Sequence, residues 1–152
     1  MQSLQEKFAP QLQCFGCGPA NQQGLQIKSI AEGNKVICHW QPAPHHQAFP
    51  GMLCGGIIGT LLDCHSNWSA AYFLMQQAKA DKPPCTVTAY YNVQLKRPTP
   101  ALEPVKLIAE LKEIKPDRAI ITASLFSDEL LCASCEGMFV AVKEGHPAFH
   151  RW

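Results

Sequence analysis

The sequence predicts an α+β domain in which a curved antiparallel sheet wraps around one long helix. One stretch with helical periodicity runs without proline between Gly51 and Pro83. Two strand patterns precede this stretch and four follow it, mostly with alternating apolar and polar residues. Because one helix cannot cover both faces of such a sheet, a sheet curved around the helix best buries the apolar residues.

Length and composition are typical of one globular domain. The chain has 152 residues, of which 47% are hydrophobic and 16% charged. We divide it into an N-terminal cap or loop segment, residues 1–23, and a single domain, residues 24–152. The net charge of +1 argues against a nucleic-acid partner, since such partners usually require a basic field. No stretch approaches about 18 consecutive apolar residues, so no membrane span is predicted.

The cysteines are expected to be free thiols. The N-terminus lacks the apolar core of a signal peptide, so we expect a cytoplasmic, reducing location for the eight cysteines. Cys14-x-x-Cys17 has the spacing of a metal knuckle, and Cys132-x-x-Cys135 could complete four thiolates. The second pair lies in a strand pattern, where positions three apart point to opposite faces. We therefore predict no metal and no cofactor.

The two strands before the helix are predicted at residues 24–30 and 35–41, with a hairpin turn at Gly33 and Asn34. Residues 42–51 contain three prolines and are predicted to be a loop. The first strand after the helix, residues 85–97, alternates so that Thr86 and Thr88 lie on the face opposite Tyr91. The remaining strands are predicted at residues 105–113, 118–126 and 130–143.

The helix, predicted from about Gly55 to about Lys79, carries a lone Asp63. At about 100° per residue, four small or polar residues fall within roughly 40° of Asp63: Gly56, Gly59, Asn67 and Ala70. Small residues let a ligand or another backbone approach closely. Asp63 is therefore either a reactive group or a hydrogen-bond acceptor at an interface. The N–H groups of the glycines that open the helix could hold a developing oxyanion, as acyl transfer requires.

The segment from Cys54-Gly55-Gly56 to Asp63 resembles the His-Gly-Gly-(x)6-Asp signature of the hotdog thioesterases related to the phenylacetate-pathway and THEM-type enzymes. The resemblance covers nearly the whole chain. Residues 14–21 with Gly24-Leu25 resemble the N-terminal segment of one subgroup, and residues 46–53 resemble its loop before the helix. Residues 95–98 and 137–140 also fit.

This resemblance implies a hotdog fold and hydrolysis of an aliphatic or aryl acyl-CoA at an active site between two subunits. It implies a homo-oligomer, a dimer or a dimer of dimers, that pairs through an edge strand. Asp63 would act as nucleophile or general base, and the N–H of Gly55 or Gly56 would polarise the thioester carbonyl. Gln47 or His46 would position water or substrate.

The chain departs from the signature at Cys54, where the family has histidine. If the family's histidine is structural, Cys54 is a tolerable replacement. If it orients substrate, the departure implies weaker activity, or binding of acyl-CoA or an acyl-lipid without hydrolysis. Cys54 could also act as a nucleophile, since a helix N-terminus lowers a thiol pKa. The candidate substrate-binding residues are Cys54, Thr60, Asn67 and Arg97.

A hotdog dehydratase is disfavoured, although Phe49-Pro50-Gly51 resembles a loop of those enzymes. Aligning the chain on that loop would place their acidic residue at Gly56 and their histidine at Pro42.

Overall fold

The computed structural model describes residues 1–150; Arg151 and Trp152, the end of the predicted domain 24–152, lie outside the described residues. The elements follow in chain order: α1 (Leu4–Phe8), β1 (Ile30–Glu32), β2 (Lys35–Trp40), a 3₁₀ turn (Pro44–His46), α2 (Gly55–Ala78), β3 (Thr86–Leu95), β4 (Val105–Lys115), β5 (Arg118–Ser127) and β6 (Leu130–Ala141).

The six strands form one antiparallel sheet in the order β1-β2-β4-β5-β6-β3. Helix α2 packs against β3, β4, β5 and β6. The core lies between them and is filled by fully buried side chains of the helix and the sheet: Leu61, Leu62, Trp68, Leu107, Ile121, Leu125 and Phe139. The predicted arrangement of a curved antiparallel sheet around one long helix is confirmed. No helix within residues 1–150 is both long enough and apolar enough to cross a membrane.

The prediction of a strand at residues 24–30 is wrong, because only Ile30–Glu32 belongs to β1. Gln26 has φ 52°, which interrupts the extended backbone. On either side of it, the Leu25 and Ile27 N–H groups donate to carbonyls of residues 15 and 16 at 2.8 and 3.0 Å. Both side chains are buried. This segment therefore gives its hydrogen bonds to the N-terminal segment, although its apolar residues are buried as those of a strand would be.

The N-terminal segment, predicted as a cap or loop, contains the short helix α1. Ser3 precedes this helix and accepts the Glu6 N–H with its hydroxyl at 3.2 Å, while the Ser3 N–H donates to the Glu6 carboxylate at 3.0 Å. This reciprocal pair is a capping box, whose Ser-x-x-Glu signature is present in the sequence.

Strand β3 lies at the edge of the sheet, and a bulge between Thr88 and Tyr90 shifts its register. The extra residue reverses the alternation, so the prediction that Thr88 and Tyr91 point to opposite faces is wrong. Thr88 donates a hydrogen bond to an α2 side chain, and the Tyr91 hydroxyl also reaches α2, 4.0 Å from where a Cβ of Gly59 would lie. The bulge thus turns polar groups from both halves of β3 toward the helix.

Candidate active site

Asp63 lies on the face of α2 that meets β3. The Thr88 hydroxyl donates to Asp63 Oδ1 at 2.7 Å, and the carboxylate is partly exposed. The nearby Cys135 thiol has its pKa raised to about 11, first by burial and then by the negative charge of Asp63. The structure therefore holds a carboxylate in a defined position between the helix and an edge strand, beside a thiol that stays protonated at neutral pH.

The stripe of small and polar residues predicted on α2 forms the contact with β3. Tyr91 approaches Gly59 near one end of this contact. At the other end, the Thr86 hydroxyl donates to Asn67 Oδ1 at 2.5 Å, and Asn67 Nδ2 donates to the Thr86 carbonyl at 3.4 Å. Asp63 lies between these contacts. The stripe thus meets β3 along its length, and at its centre Thr88 reaches the carboxylate; a Cβ at Gly59 would make only an ordinary contact with Tyr91.

Helix α2 opens with two exposed glycines. The first helical hydrogen bond, from each N–H to the carbonyl four residues earlier, runs from the Ile58 N–H to the Cys54 carbonyl at 3.1 Å. The N–H groups of Gly55 and Gly56 come before it and therefore have no acceptor within the helix. The Cys54 side chain makes no capping hydrogen bond to this turn. The aligned peptide dipoles of a 24-residue helix favour negative charge at this end, so the opening can accept a carbonyl oxygen that becomes an oxyanion.

A cavity of about 390 Å³ adjoins this opening. Gly55, Phe49, Leu95 and Arg97 are among the residues that line it. A larger cavity of about 690 Å³ also includes Arg97, but Gly55 does not line it; Asp63 lines neither of these two cavities. Because the chemistry requires a group that can bind an oxyanion, the smaller cavity is the better candidate for the entrance to the site. Arg97 is exposed at its edge, where it can meet a phosphate.

The structure places Gln47 and His46 in the loop before α2, with their side chains engaged in that loop. Gln47 accepts the Gly51 N–H at 2.7 Å and donates to the Pro44 carbonyl at 2.8 Å. His46 Nδ1 accepts the Ala43 N–H at 2.9 Å. The pKa of His46 is lowered, first by burial and then by the neighbouring His45. Both residues shape the loop, and their direct role toward water or substrate stays a prediction.

Thr60 and Asn67 differ from Asp63 in their surroundings. Thr60 turns toward the N-terminal segment: its methyl group lies 2.9 Å from where a Cβ of Gly16 would be, and its hydroxyl donates to the Gly56 carbonyl at 3.0 Å. Asn67 is buried and uses both ends of its amide on Thr86. Their contact with substrate stays a prediction, whereas their contacts within the chain position α2.

A buried network behind the stripe anchors the helix. His65 is fully buried; its Nε2 lies 3.0 Å from the Val36 carbonyl and its Nδ1 lies 2.8 Å from the Ser29 hydroxyl. Ser29 in turn exchanges two hydrogen bonds with the side chain of Gln5. The helical plot groups His65 with the apolar residues, but no local pattern in the sequence points to its partners on β2 and the N-terminal segments.

The chain matches no family model. Among solved structures, a thioesterase superfamily protein from Shewanella loihica PV-4 is 31% identical in sequence with a TM-score of 0.66, and the match covers 82% of this chain and 98% of that one. This chain belongs to the thioesterase superfamily. The hotdog thioesterase resemblance inferred from the sequence is thereby confirmed.

Two more distant proteins are also similar to this chain, one in structure and one in sequence. The E. coli PaaI protein from the phenylacetic acid degradation operon is 12% identical with a TM-score of 0.62, and the match covers 78% of this chain and 81% of that one. Acyl-coenzyme A thioesterase THEM4 of Bos taurus is 23% identical over 141 residues, which cover 90% of this chain and 54% of that protein. The chain thus spans about half the length of the curated relatives it matches.

Proposed function

We propose that this protein hydrolyses an acyl-CoA thioester to the free acid and CoA, with Asp63 as nucleophile or general base. The observation that carries the proposal is the position of Asp63, a carboxylate fixed by Thr88 on the same side of α2 as the glycine opening. The relatives named as acyl-coenzyme A thioesterases support the substrate class. In this mechanism the N–H of Gly55 or Gly56 stabilises the oxyanion, and Arg97 meets the phosphates of CoA.

We further propose that the complete site forms between two subunits. Gly56 and Asp63 are seven residues apart, which is roughly 10 Å along a helix axis. The edge strand β3 lies beside Asp63 and beside Gly55, the neighbour of Gly56: Leu95 lies 3.4 Å from where a Cβ of Gly55 would be, and Thr88 holds Asp63. An unpaired edge strand is a template for another strand.

The middle of β3 is the natural point for pairing, because residues 89–92 are all exposed. Tyr90 and Tyr91 are 47% and 45% exposed, which is unusual for aromatic side chains in the interior of a ten-residue strand. An antiparallel pair centred here would bring Leu95 of one subunit opposite Thr86 in the other, two residues from Thr88. The glycine opening of each subunit would then lie near the carboxylate of its partner.

The first experiment replaces Asp63 with Asn, which keeps the shape but removes the negative charge. Hydrolysis of a panel of short, long and aryl acyl-CoA substrates should fall by roughly 100-fold or more, the range for loss of a positioned base. Asp81→Asn, a matched change in the exposed turn after α2, should keep the rate of the unchanged protein. Released CoA is measured by chromatography, because the free cysteines of the chain would react with thiol reagents. An Asp63→Asn rate equal to that of Asp81→Asn would refute the assignment.

The second experiment tests the site between subunits by mixing two inactive variants. Gly56→Pro removes one N–H in the first helical turn, where proline is tolerated. Gly56→Ala is its control, because the added Cβ would lie 3.7 Å from Cys54 Sγ, an ordinary contact. When Asp63→Asn and Gly56→Pro chains are refolded together in equal amounts, half of the randomly formed dimers contain one chain of each kind. One of the two sites in such a dimer has both residues unchanged, so activity should return to about a quarter of the sites. If the mixture stays inactive while both variants form dimers, the site lies within one chain.

A binding protein without hydrolytic activity is the second candidate, favoured by Cys54 in place of the signature histidine. Under this alternative the panel would show tight binding by calorimetry but no CoA release for any chain length. Cys54→His would then create turnover. For a protein that already hydrolyses acyl-CoA, the same substitution tests whether Cys54 limits the rate.

A further inference from the structure

Three cysteines that lie far apart in the sequence meet at the junction of the N-terminal segment and α2. The Sγ atoms of Cys14, Cys17 and Cys64 all lie within 4.8 Å of one another, and those of Cys14 and Cys64 are 3.9 Å apart. In the sequence, Cys132-x-x-Cys135 is the only other pair with this spacing, but strand alternation disfavours a shared site and no metal is predicted. The structure instead brings in Cys64, and Cys132 and Cys135 lie in β6 outside this cluster.

The backbone around the cluster is built for a close approach of sulfur atoms. A Cβ on Gly16 would lie only 2.3 Å from Cys64 Sγ, so any other residue at this position would push the thiol away. A Cβ on Gly18 would lie 2.4 Å from the Leu12 carbonyl, so the loop can close only with glycine there. The loop is further closed by the Gly18 N–H, which donates to the Cys14 carbonyl at 2.9 Å.

Hydrogen bonds in the cluster favour negative charge on sulfur. The Trp68 indole N–H donates to Cys17 Sγ at 3.3 Å. Three neighbouring sulfurs cannot all ionise without a positive charge among them, and a divalent cation supplies that charge.

We propose that Cys14, Cys17 and Cys64 bind a zinc ion as three thiolate ligands. In a tetrahedral zinc site with Zn–S bonds of about 2.3 Å, two sulfurs lie about 3.8 Å apart, and the Cys14–Cys64 distance of 3.9 Å matches this spacing. A disulfide would require a separation of about 2.0 Å. Cys14 and Cys64 are only partly buried, so water can reach the fourth position. Binding would release the thiol protons of the ligands to solvent.

This site is separate from the candidate active site, because Cys64 faces the N-terminal segment whereas Asp63 faces β3. The zinc would tie residues 14–18 to α2, which begins at Gly55. That link closes a loop of about 50 residues and is expected to stabilise the fold by limiting the freedom of the unfolded chain.

The test uses the full chain, purified under reducing conditions, stripped by a chelator and titrated with Zn²⁺ or Co²⁺. We expect about one metal per chain by mass spectrometry, thiolate-to-cobalt charge-transfer absorption, and a melting temperature that rises with zinc. Cys17→Ser and Cys64→Ser should lose the absorption. Cys38→Ser, a buried cysteine in β2, and Cys85→Ser, a partly exposed one, should keep it.

A second variant tests the geometry without removing a ligand. Gly16→Ala should weaken cobalt binding at least tenfold, because the new methyl group would displace Cys64 Sγ. The proposal is overturned if the unchanged chain takes up no stoichiometric metal, or if the Cys17→Ser and Cys64→Ser variants bind metal as tightly as the controls. It is equally overturned if alkylation and peptide mapping show a Cys14–Cys64 disulfide in the purified protein.

Discussion

His65 should make the folded protein sensitive to mild acid. Its ring is fully buried, with Nε2 donating to the Val36 carbonyl and Nδ1 accepting from the Ser29 hydroxyl. The neutral ring satisfies both partners. A second ring proton would face Ser29, whose oxygen already accepts a hydrogen bond from Gln5. Burial therefore lowers the pKa of His65 to about 4 from the ordinary 6.5, although the hydrogen bond to Val36 opposes part of this shift.

The size of the loss of stability in acid follows from the difference between the pKa of His65 in the folded protein, about 4, and its ordinary value of 6.5. Between pH 6.5 and pH 4 the unfolded chain carries a proton on His65 that the folded chain lacks. The free energy of unfolding should thus fall by about 1.4 kcal/mol for each pH unit of acidification, or about 3 kcal/mol over the whole window. Above pH 6.5 the contribution is constant. The carboxyl of Glu6, whose pKa is lowered to about 2 chiefly by Lys28, destabilises the fold only at lower pH, below 4.5.

The assay is urea unfolding at fixed protein concentration at several pH values between 7.5 and 4.5, roughly the span over which His65 changes its proton count. His65→Gln should lower the free energy of unfolding at neutral pH and flatten its dependence on pH. His39→Gln, a change at an exposed position, should leave that dependence unchanged. His46 also has a lowered pKa and adds a slope of the same sign, so some dependence should remain. Equal slopes in His65→Gln and the unchanged protein would refute the reasoning.

Three further substitutions probe the packing that positions the site. Leu62→Ala, at a fully buried position in α2, should lower the free energy of unfolding by about 2–5 kcal/mol; a loss below about 1 kcal/mol in urea would show that the core is not packed as described. Asn67→Ala leaves the Thr86 hydroxyl without its acceptor and should lower the free energy of unfolding by about 1–3 kcal/mol. Thermal melting of Asn67→Ala, Thr86→Val and the double variant forms a double-mutant cycle that measures this interaction. Gly18→Ala should expose the N-terminal segment to proteolysis, because its Cβ would meet the Leu12 carbonyl; unchanged digestion would contradict the tight turn.

The helix and its chemistry were predictable because they depend on local spacing. The range from Gly55 to about Lys79 is confirmed, with α2 ending at Ala78 and Lys79 taking the left-handed C-cap conformation. Helical periodicity alone placed Asp63 on one stripe with Gly59 and Asn67, and the structure shows this stripe against β3. A fixed rotation per residue makes such a prediction possible without knowledge of the rest of the chain.

The strand faces were less predictable, because a bulge leaves little trace in the sequence. One extra residue between Thr88 and Tyr90 reverses the alternation of β3 and brings Thr88 to Asp63. Likewise, Leu25 and Ile27 have the alternation of a strand, but Gln26 at positive φ directs their backbone to the N-terminal segment. Leu25 and Ile27 are buried as the apolar residues of a strand would be, but in β3 Thr86 is buried whereas Tyr91 and Leu95 are exposed. In both places the hydrogen-bond partners depend on neighbouring segments.

The sequence by itself determined the fold class, the long helix with its glycine opening, and the carboxylate on its small-residue stripe. Only the tertiary structure decided which groups meet across the chain: Thr88 with Asp63, Ser29 with His65, and Cys64 with Cys14. The physical reason is the distance along the chain over which a sequence pattern acts. Periodicity records how a residue faces its own element, whereas a contact between distant segments depends on how the whole sheet closes around the helix and is set by packing that no local pattern records.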